Sequence, residues 1–320
     1  MVIEILACLL GLVLLALSSD ALVIGCSRIA RRLGVPATVV GVVVIGFGTS
    51  APELLVSGSA ALRGSVAIGV GNVIGSNIAN LTLVLGVAAL VAPVTVRRGL
   101  IRREVPMILL ASAAFGLALQ GGVSRAEAVL LLVGLAGCLI LLVRWAVHGQ
   151  TGGPDAGGPE QDLDDLTGPK DVSPLLTLLA QAGAGLVGTV LGAQALVFGA
   201  AGLARAAGLS EGFVGVTIVA IGTSLPELLT AAQAARRGEN DLVIGNLLGS
   251  NLFNALGVGG LIGVISPAVA VDRSLAVNGV AVMMVVSFLA TAFMIRRLRV
   301  VRWEAAVLLA VFVGYLPLLT

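Results

Sequence analysis

The chain has 320 residues, of which 58% are hydrophobic and only 11% are charged. Because soluble domains carry about 25% charged residues, this composition excludes an ordinary soluble protein and predicts a protein embedded in the lipid bilayer. The formal net charge of only +2 gives no reason to expect nucleic acid as a partner, and the sequence indicates no protein partner and no cofactor.

Ten apolar segments, taken in chain order, are long enough to cross a bilayer as helices. Five lie in the first half, at 2–26, 36–60, 66–92, 104–120 and 124–147. Five lie in the second half, at 174–204, 210–235, 240–265, 271–295 and 302–319. The first segment lacks a basic start and a cleavage site, so we expect a membrane helix there and not a signal peptide.

The segment 149–173, between the two groups, is rich in Gly, Pro and Asp. This composition is typical of a flexible, solvated linker. It divides the chain into a first five-helix unit, 1–148, and a second, 174–320. We expect the two units to form one membrane domain, so that the chain is an all-α polytopic membrane protein with about ten transmembrane helices.

The two halves of the chain repeat each other. When 174 is added to each number, 27 of the 61 positions from 20 to 80 carry the same residue in the second half, and Glu53 then corresponds to Glu227. Five helices separate equivalent points, and an odd number of crossings inverts the second copy, which is the inverted repeat of many secondary transporters. Asp20 has no acidic counterpart, because position 194 is Gln; its role is left open, and we expect it near a helix end.

The positions of the 19 Lys and Arg residues predict how the helices are oriented, because cytoplasmic loops carry an excess of them. With the N-terminus placed outside, 15 lie in inner segments and 4 in outer loops. The outer four are Arg63, Arg125, Arg205 and Arg273. We therefore expect a plasma-membrane protein with both termini outside and the linker 149–173 in the cytoplasm.

A carboxylate lies in the middle of the second apolar segment, in the motif GTSAPELL from Gly48 to Leu55. A charge near the centre of a membrane helix costs about 2.5–3.5 kcal/mol on insertion scales, and Pro52 removes a helix hydrogen bond beside it. The chain contains the same costly combination again in GTSLPELL, from Gly222 to Leu229. Two glutamates at equivalent points of a repeat, Glu53 and Glu227, favour a functional site over a structural role.

Each glutamate shares one helix face with three other residues that bear oxygen atoms. The face of the first copy consists of Gly46, Thr49, Ser50 and Glu53, and that of the second consists of Ala220, Thr223, Ser224 and Glu227. Each proline also leaves a carbonyl oxygen without its helical partner, at Gly48 and at Gly222. Such carbonyls are tolerated at membrane depth where they line a cavity. Oxygen ligands suit a hard cation such as Na⁺ or Ca²⁺, so we expect broken helices at an ion site.

The next helix of each half adds a second motif, GNVIGSNIAN at 71–80 and GNLLGSNLFN at 245–254. Two residues of each motif, four positions apart on one helix face, are expected to supply further oxygens: Ser76, Asn80, Ser250 and Asn254. Asn77 and Asn251 lie about 100° around the helix from that face. We expect these two to hydrogen-bond the broken helices instead.

The four motifs resemble the alpha-repeats of the calcium/cation antiporter superfamily, most closely its sodium/calcium exchanger branch. The resemblance covers about 20–86 and 194–260, and the ten predicted helices agree with it. It implies an ion site with side-chain ligands from both halves: Thr49, Ser50, Glu53, Ser76, Asn80, Thr223, Ser224, Glu227 and Ser250. It also implies backbone ligands, the carbonyls of Gly46 and Ala220.

One position departs from the family's pattern. The second repeat of the family commonly has Asp where this chain has Asn254. The site would then hold two carboxylates, with a formal charge of −2, and not three. The resemblance therefore gives little support for potassium dependence, and it leaves the counter-ion and the stoichiometry open.

Two transport functions fit these residues. The first is a Na⁺/Ca²⁺ antiporter that works by alternating access, in which two carboxylates neutralise one Ca²⁺ or two Na⁺. The alternative is an H⁺/Ca²⁺ antiporter in which protons bind the same two carboxylates. An ion channel does not explain an inverted repeat with broken helices. An enzyme is not expected, because an intramembrane hydrolase needs a base and the only histidine, His148, borders the linker.

Overall fold

The computed structural model describes residues 1–148, 173–207 and 220–318, and these residues are almost entirely helical. The predicted linker, apart from Ser173, lies outside the described residues. So does 210–219, the start of the seventh predicted segment. The all-α prediction is confirmed, and the division into three parts stays a prediction.

Eight α-helices form the described part of the first half. They are α1 (Val2–Leu33), α2 (Ala37–Val40), α3 (Phe47–Thr49), α4 (Ala51–Leu62), α5 (Val66–Ala79), α6 (Leu85–Val91), α7 (Arg98–Ala118) and α8 (Arg125–His148). The stretches Gly41–Gly46 and Asn80–Val84 are π-helical and join their neighbours into longer helices. Gly34 ends α1 in the left-handed conformation, with φ of 65°, that glycine adopts readily.

Seven α-helices form the described part of the second half. They are α9 (Leu175–Ala206), α10 (Ala220–Thr223), α11 (Leu225–Arg236), α12 (Asn240–Leu252), α13 (Gly259–Ile265), α14 (Val280–Arg297) and α15 (Arg302–Tyr315). Two further π-helical stretches, Phe253–Val258 and Ser274–Gly279, lie before α13 and α14. The sequence pattern did not predict π-helices, which recur at functional sites in helical proteins.

Seven of the described helices are long and apolar enough to cross a membrane, and the bent pair Ala37–Thr49 and Ala51–Leu62 makes an eighth. The remaining two predicted segments are the seventh, which is described only from residue 220, and the last. The helix of the last segment, α15, has 14 residues, fewer than the roughly 17 to 25 that cross a bilayer. The count of ten transmembrane helices therefore stays a prediction.

Helix boundaries recur at the spacing of the sequence repeat. Adding 174 to the ends of α4 gives the ends of α11, and adding it to the ends of α6 gives the ends of α13. Gly64 and Gly238, at equivalent turns, have φ of 75° and 76°. The local backbone therefore follows the duplication, and it supports the inverted repeat, which also stays a prediction.

Close glycine contacts fix how the halves pack. A Cβ added to Gly46 would lie 2.8 Å from the Cα of Gly249, and one added to Gly249 would lie 2.7 Å from the carbonyl oxygen of Val42. The π-helical stretch Gly41–Gly46 thus lies directly against α12. Without side chains between them, the two backbones approach as small-residue contacts allow in membranes. This contact brings the first broken helix to the second motif of the other half.

One small feature is not helical. Val94–Thr95 and Arg299–Val300 pair as two antiparallel strands, and the amide of Val96 donates to the carbonyl of Leu298, 2.8 Å away. The pair ties the turn before α7 to the turn before α15. The sequence predicts only loops here, since two-residue strands leave no periodic pattern.

Candidate cation site between two broken helices

Both GTSxPE motifs break their helices at the serine. Ser50 separates α3 from α4 with φ −79° and ψ 5°, and Ser224 separates α10 from α11 with φ −88° and ψ 5°. The helix axis bends by 43° at the first break. Pro52 and Pro226 lie within the first two positions of the new helices, where a missing N–H costs nothing. The break predicted from the prolines is present, two residues before each proline.

The two glutamates lie just after the breaks, and each is only 1% exposed. Glu227 accepts a hydrogen bond from the hydroxyl of Ser50, 3.4 Å away, and Thr49 is also within reach of its carboxylate. Glu53 lies within hydrogen-bonding reach of Thr223 and Ser76. Each carboxylate is therefore approached by at least one hydroxyl group from the broken helix of the other half, and Glu53 also by Ser76 of its own half.

Several oxygens at this place lack a hydrogen-bond partner among the described residues. They include one carboxylate oxygen each of Glu53 and Glu227, the hydroxyl of Ser224, and the side-chain carbonyls of Asn80 and Asn254. Buried polar atoms without partners are uncommon in folded proteins, because each costs about 1–3 kcal/mol. A group of such oxygens around two buried charges is what a bound cation would satisfy.

The predicted backbone ligands are the carbonyl oxygens of Gly46 and Ala220. The carbonyl oxygen of Gly46 accepts from the amide of Ser50 and from the hydroxyl of Ser250, each 3.3 Å away. It therefore joins the first break to α12. Ala220 is the first described residue of α10.

The remaining predicted amides lie beside the breaks on the neighbouring helices. Asn80 donates to the side-chain carbonyl of Asn251, 3.1 Å away. Asn254 is 1% exposed, and neither atom of its amide has a partner among the described residues. The expectation that Asn77 and Asn251 bond the broken helices is wrong: Asn251 bonds Asn80, and Asn77 contacts the sulfur of Met283 at 3.5 Å.

Asn72 and Asn246 brace the breaks instead. The amide of Asn72 donates to the backbone carbonyl of Glu53 at 3.4 Å, and that of Asn246 donates to the carbonyl of Glu227 at 3.2 Å. Asn246 also accepts from the hydroxyl of Thr49, at 3.4 Å. Both asparagines lie four residues before Ser76 and Ser250 on the same helix face, a spacing that could have placed them near the breaks but not identified their partners.

Asp20 pairs with arginines at the end of the second broken helix. It lies well inside α1 and not near a helix end, and both its carboxylate oxygens accept from Arg237, at 2.7 and 2.6 Å. Arg236 is 3.4 Å away. Two arginines at the turn between α11 and α12 thus neutralise this carboxylate. Its partners are different residues from those that contact the two glutamates.

The donor set fits a hard cation. Within the described ranges, no three His, Cys, Asp or Glu side chains form a cluster that could hold a metal ion. The site instead combines two carboxylates with hydroxyl, amide and backbone oxygens. Na⁺ and Ca²⁺ accept such mixed oxygen shells, whereas softer metals prefer nitrogen and sulfur.

Comparison with known proteins agrees with this chemistry. A family model described as "Sodium/calcium exchanger protein" matches residues 3–144 and 177–320. The putative antiporter CaxA of Alkalimonas amylolytica is 39% identical over 316 residues, which cover 97% of each chain. The sodium/calcium exchanger MaX1 of Methanosarcina acetivorans is 30% identical over 348 aligned positions and is also covered to 97%.

The fold matches solved structures as well. The sodium-calcium exchanger NCX_Mj, in crystals soaked with Na⁺ and Sr²⁺, superposes with a TM-score of 0.83 at 30% sequence identity, covering 99% of this chain and 98% of that one. The match extends through both halves. The family is one of transporters and not an enzyme class. The chain belongs to the sodium/calcium exchanger protein family.

Proposed function

We propose that this protein exchanges Ca²⁺ for Na⁺ across the plasma membrane by alternating access. The observation that carries the proposal is the pair of buried carboxylates, Glu53 and Glu227, at facing helix breaks with unpaired oxygens around them. The other candidate ligands are the hydroxyl, amide and backbone oxygens predicted from the sequence: Thr49, Ser50, Ser76, Asn80, Thr223, Ser224, Ser250 and Asn254, with the carbonyls of Gly46 and Ala220. Ca²⁺ and Na⁺ compete for the same oxygens, so that one exchanges for the other.

Coupling follows from the cost of moving an empty site. Two unpaired carboxylates inside a membrane protein are unfavourable, so the empty site crosses between its two open states slowly. One Ca²⁺ or two Na⁺ neutralise the formal charge of −2. Only the loaded forms then change conformation readily, which links the flow of one ion to that of the other.

Neutral ligands favour Na⁺ over H⁺ as the coupling ion. A proton binds to a carboxylate alone and requires no further ligands. Coupling to H⁺ therefore does not explain why the hydroxyls of Ser50 and Ser224 and the amide of Asn254 are present. The many neutral oxygens support binding of more Na⁺ than the two charges require. A surplus Na⁺ makes the sodium-loaded form more positive than the calcium-loaded form, so we propose that each cycle moves net charge.

The protein is oriented, in this proposal, with both termini outside and the linker 149–173 in the cytoplasm. The support is the distribution of Lys and Arg, 15 on one side and 4 on the other. The opposite orientation of the two halves then presents the breaks to each other at mid-depth, as in other transporters built from inverted repeats.

The decisive experiment is ⁴⁵Ca²⁺ uptake into proteoliposomes that contain the purified protein. An imposed Na⁺ gradient should drive uptake, and clamping the membrane potential with K⁺ and valinomycin should change its rate. Glu53→Gln protein is the matched inactive control. Uptake that follows a pH gradient without Na⁺, and is indifferent to added Na⁺, would replace Na⁺ coupling by the H⁺/Ca²⁺ alternative. Uptake driven by neither gradient would overturn exchange itself.

A further inference from the structure

A charged cluster joins α1 to the turn between α11 and α12. Asp20 binds Arg237 through both carboxylate oxygens, at 2.7 and 2.6 Å. Two turns further along α1, the hydroxyl of Ser27 donates to Glu239, and Arg31 lies 3.6 Å from the same carboxylate. Bidentate pairs of this kind are among the stronger charge-assisted contacts. The cluster therefore holds α1 against the end of the second broken helix.

Because the chain is duplicated, the cluster can be compared with the equivalent residues of the other half. Both arginines have counterparts 174 positions away, since Arg237 corresponds to Arg63 and Arg31 corresponds to Arg205. Both acidic partners are missing there: Asp20 corresponds to Gln194, and Glu239 corresponds to Ser65. These two acid–arginine pairs therefore have no counterpart made of the same residues in the other half, although the surrounding helices are duplicated.

The surroundings of Asp20 and of its counterpart also differ. On the side of the cluster, α1 packs along α11, and the carbonyl of Ala16 accepts from Gln233 at 3.4 Å. Gln194, the counterpart of Asp20, lines an apolar surface groove of about 550 Å³ between α9 and the first break, together with exposed side chains such as Phe47 and Leu191. The acidic residues therefore lie where α1 contacts α11, and the counterpart of Asp20 lies at a groove with no acidic residue among its described lining residues.

We propose that the pairs Asp20–Arg237 and Glu239–Arg31 form an ionic latch that stabilises closure of one side of the transporter, the side predicted to be cytoplasmic. Because the other side lacks the acidic partners, the resting equilibrium favours the state open on that other side. The proposal rests on the alternating access proposed above, and it adds an element that sets the populations of the two states. Its predicted consequence is an exchanger that rests with its site open to the outside.

Ser19 offers a reporter for closure. Its hydroxyl donates to the same carbonyl of Ala16, at 3.2 Å, that Gln233 contacts from α11, so Ser19 lies at the α1–α11 contact. It is 0% exposed, and Ser19→Cys changes one atom. The reporter is placed in protein whose native cysteines, Cys8, Cys26 and Cys138, have been replaced. Labelling by a membrane-impermeant maleimide is then measured in inside-out and right-side-out vesicles.

Opening of the latch should raise labelling from the latch side. Asp20→Asn should increase the labelling rate about fivefold, the change that about 1 kcal/mol produces in an equilibrium. Gln194→Asp should also increase it, because a carboxylate there can pair with Arg63 and stabilise closure of the opposite side. Gln194→Asn is the matched control and should leave the rate unchanged. Arg237→Asp combined with Asp20→Arg should return the rate toward that of the parent.

The outcomes separate this proposal from the proposed function. Unchanged labelling in Asp20→Asn, or an equal increase in Gln194→Asn, would overturn the latch. Failure of the parent protein to exchange Ca²⁺ while the labelling pattern holds would overturn the transport proposal and keep the latch. Because labelling requires no transported ion, the two readouts fail independently.

Discussion

The hydroxyl of Ser50 donates a hydrogen bond to the carboxylate of Glu227, 3.4 Å away, although 177 positions separate the two residues. Ser50 forms the break of the first half, and Glu227 follows the break of the second. The contact shows that the two motifs meet, and in the proposed function they hold one ion site together. Substitutions in either motif should therefore affect a shared ion and not two independent ones.

Removal of either carboxylate charge should abolish exchange. Glu53→Gln or Glu227→Gln keeps the shape of the side chain but leaves a formal charge of −1, which no longer neutralises Ca²⁺. We expect folded protein with ⁴⁵Ca²⁺ uptake at background, checked by size-exclusion chromatography and proteoliposome flux. Glu104→Gln, which changes a carboxylate on α7 outside the site, is the control and should retain uptake. Uptake near the parent level in either glutamine variant would remove these residues from the site.

Removal of the Asn246 amide should destabilise the backbone conformation at the second helix break. Asn246→Ala removes the side-chain donor to the carbonyl of Glu227 and one of two acceptors for the hydroxyl of Thr49. The other acceptor, the carbonyl of Ile45, remains, and each lost bond costs about 0.5–1.5 kcal/mol. We expect a lower thermal midpoint in detergent and a weaker apparent affinity for Ca²⁺. The exposed amide of Asn278 contacts only a serine hydroxyl, so Asn278→Ala should change neither quantity. Equal effects of the two substitutions would contradict the bracing role.

A side chain at Gly249 should separate the two halves. Its added Cβ would lie 2.7 Å from the carbonyl oxygen of Val42 and 3.2 Å from the Cα of Gly46, so the backbones must move. We expect Gly249→Ala to destabilise the protein by about 1–3 kcal/mol and to lower exchange. Gly137 has open space around it among the described residues. Gly137→Ala should leave stability unchanged or raise it by about 0.5–1 kcal/mol, as denaturation midpoints will show.

Asn254 sets the charge of the site. Asn254→Asp adds a third carboxylate at a position that is 1% exposed, so it changes which loaded form is neutral. We expect some exchange to remain, with an altered dependence on pH, because a carboxyl group can bind a proton and an amide cannot. The measurement is Na⁺-driven ⁴⁵Ca²⁺ flux across a pH series, compared with Asn254→Gln. A pH profile identical to that of the parent would count against a place for residue 254 at the ions.

Topology is tested by single cysteines in protein that lacks the native three. A cysteine within 149–173 should resist an impermeant thiol reagent in intact cells, because we place that linker in the cytoplasm. Ser65→Cys, in an exposed turn after α4, should be labelled from outside. The reverse pattern would invert the orientation derived from the arginines.

The sequence by itself determined the parts that depend on composition and local geometry. Long apolar runs must be helical in a bilayer, because every backbone group needs an internal partner there. Serine, proline and glutamate at fixed spacing predicted the breaks and the two buried carboxylates. The repeat predicted which residues are equivalent, since duplicated local sequence folds to the same helix ends.

Only the tertiary structure decided which residues meet across the halves. The bond of Asn246 to the carbonyl of Glu227 and the close approach of Gly46 to Gly249 depend on how two helices pack, which spacing along one helix does not specify. The wrong assignment of Asn77 and Asn251 has this cause. Asp20 is the clearest case, because its partner Arg237 is 217 positions away, and only the packing of α1 against α11 brings the two charges together.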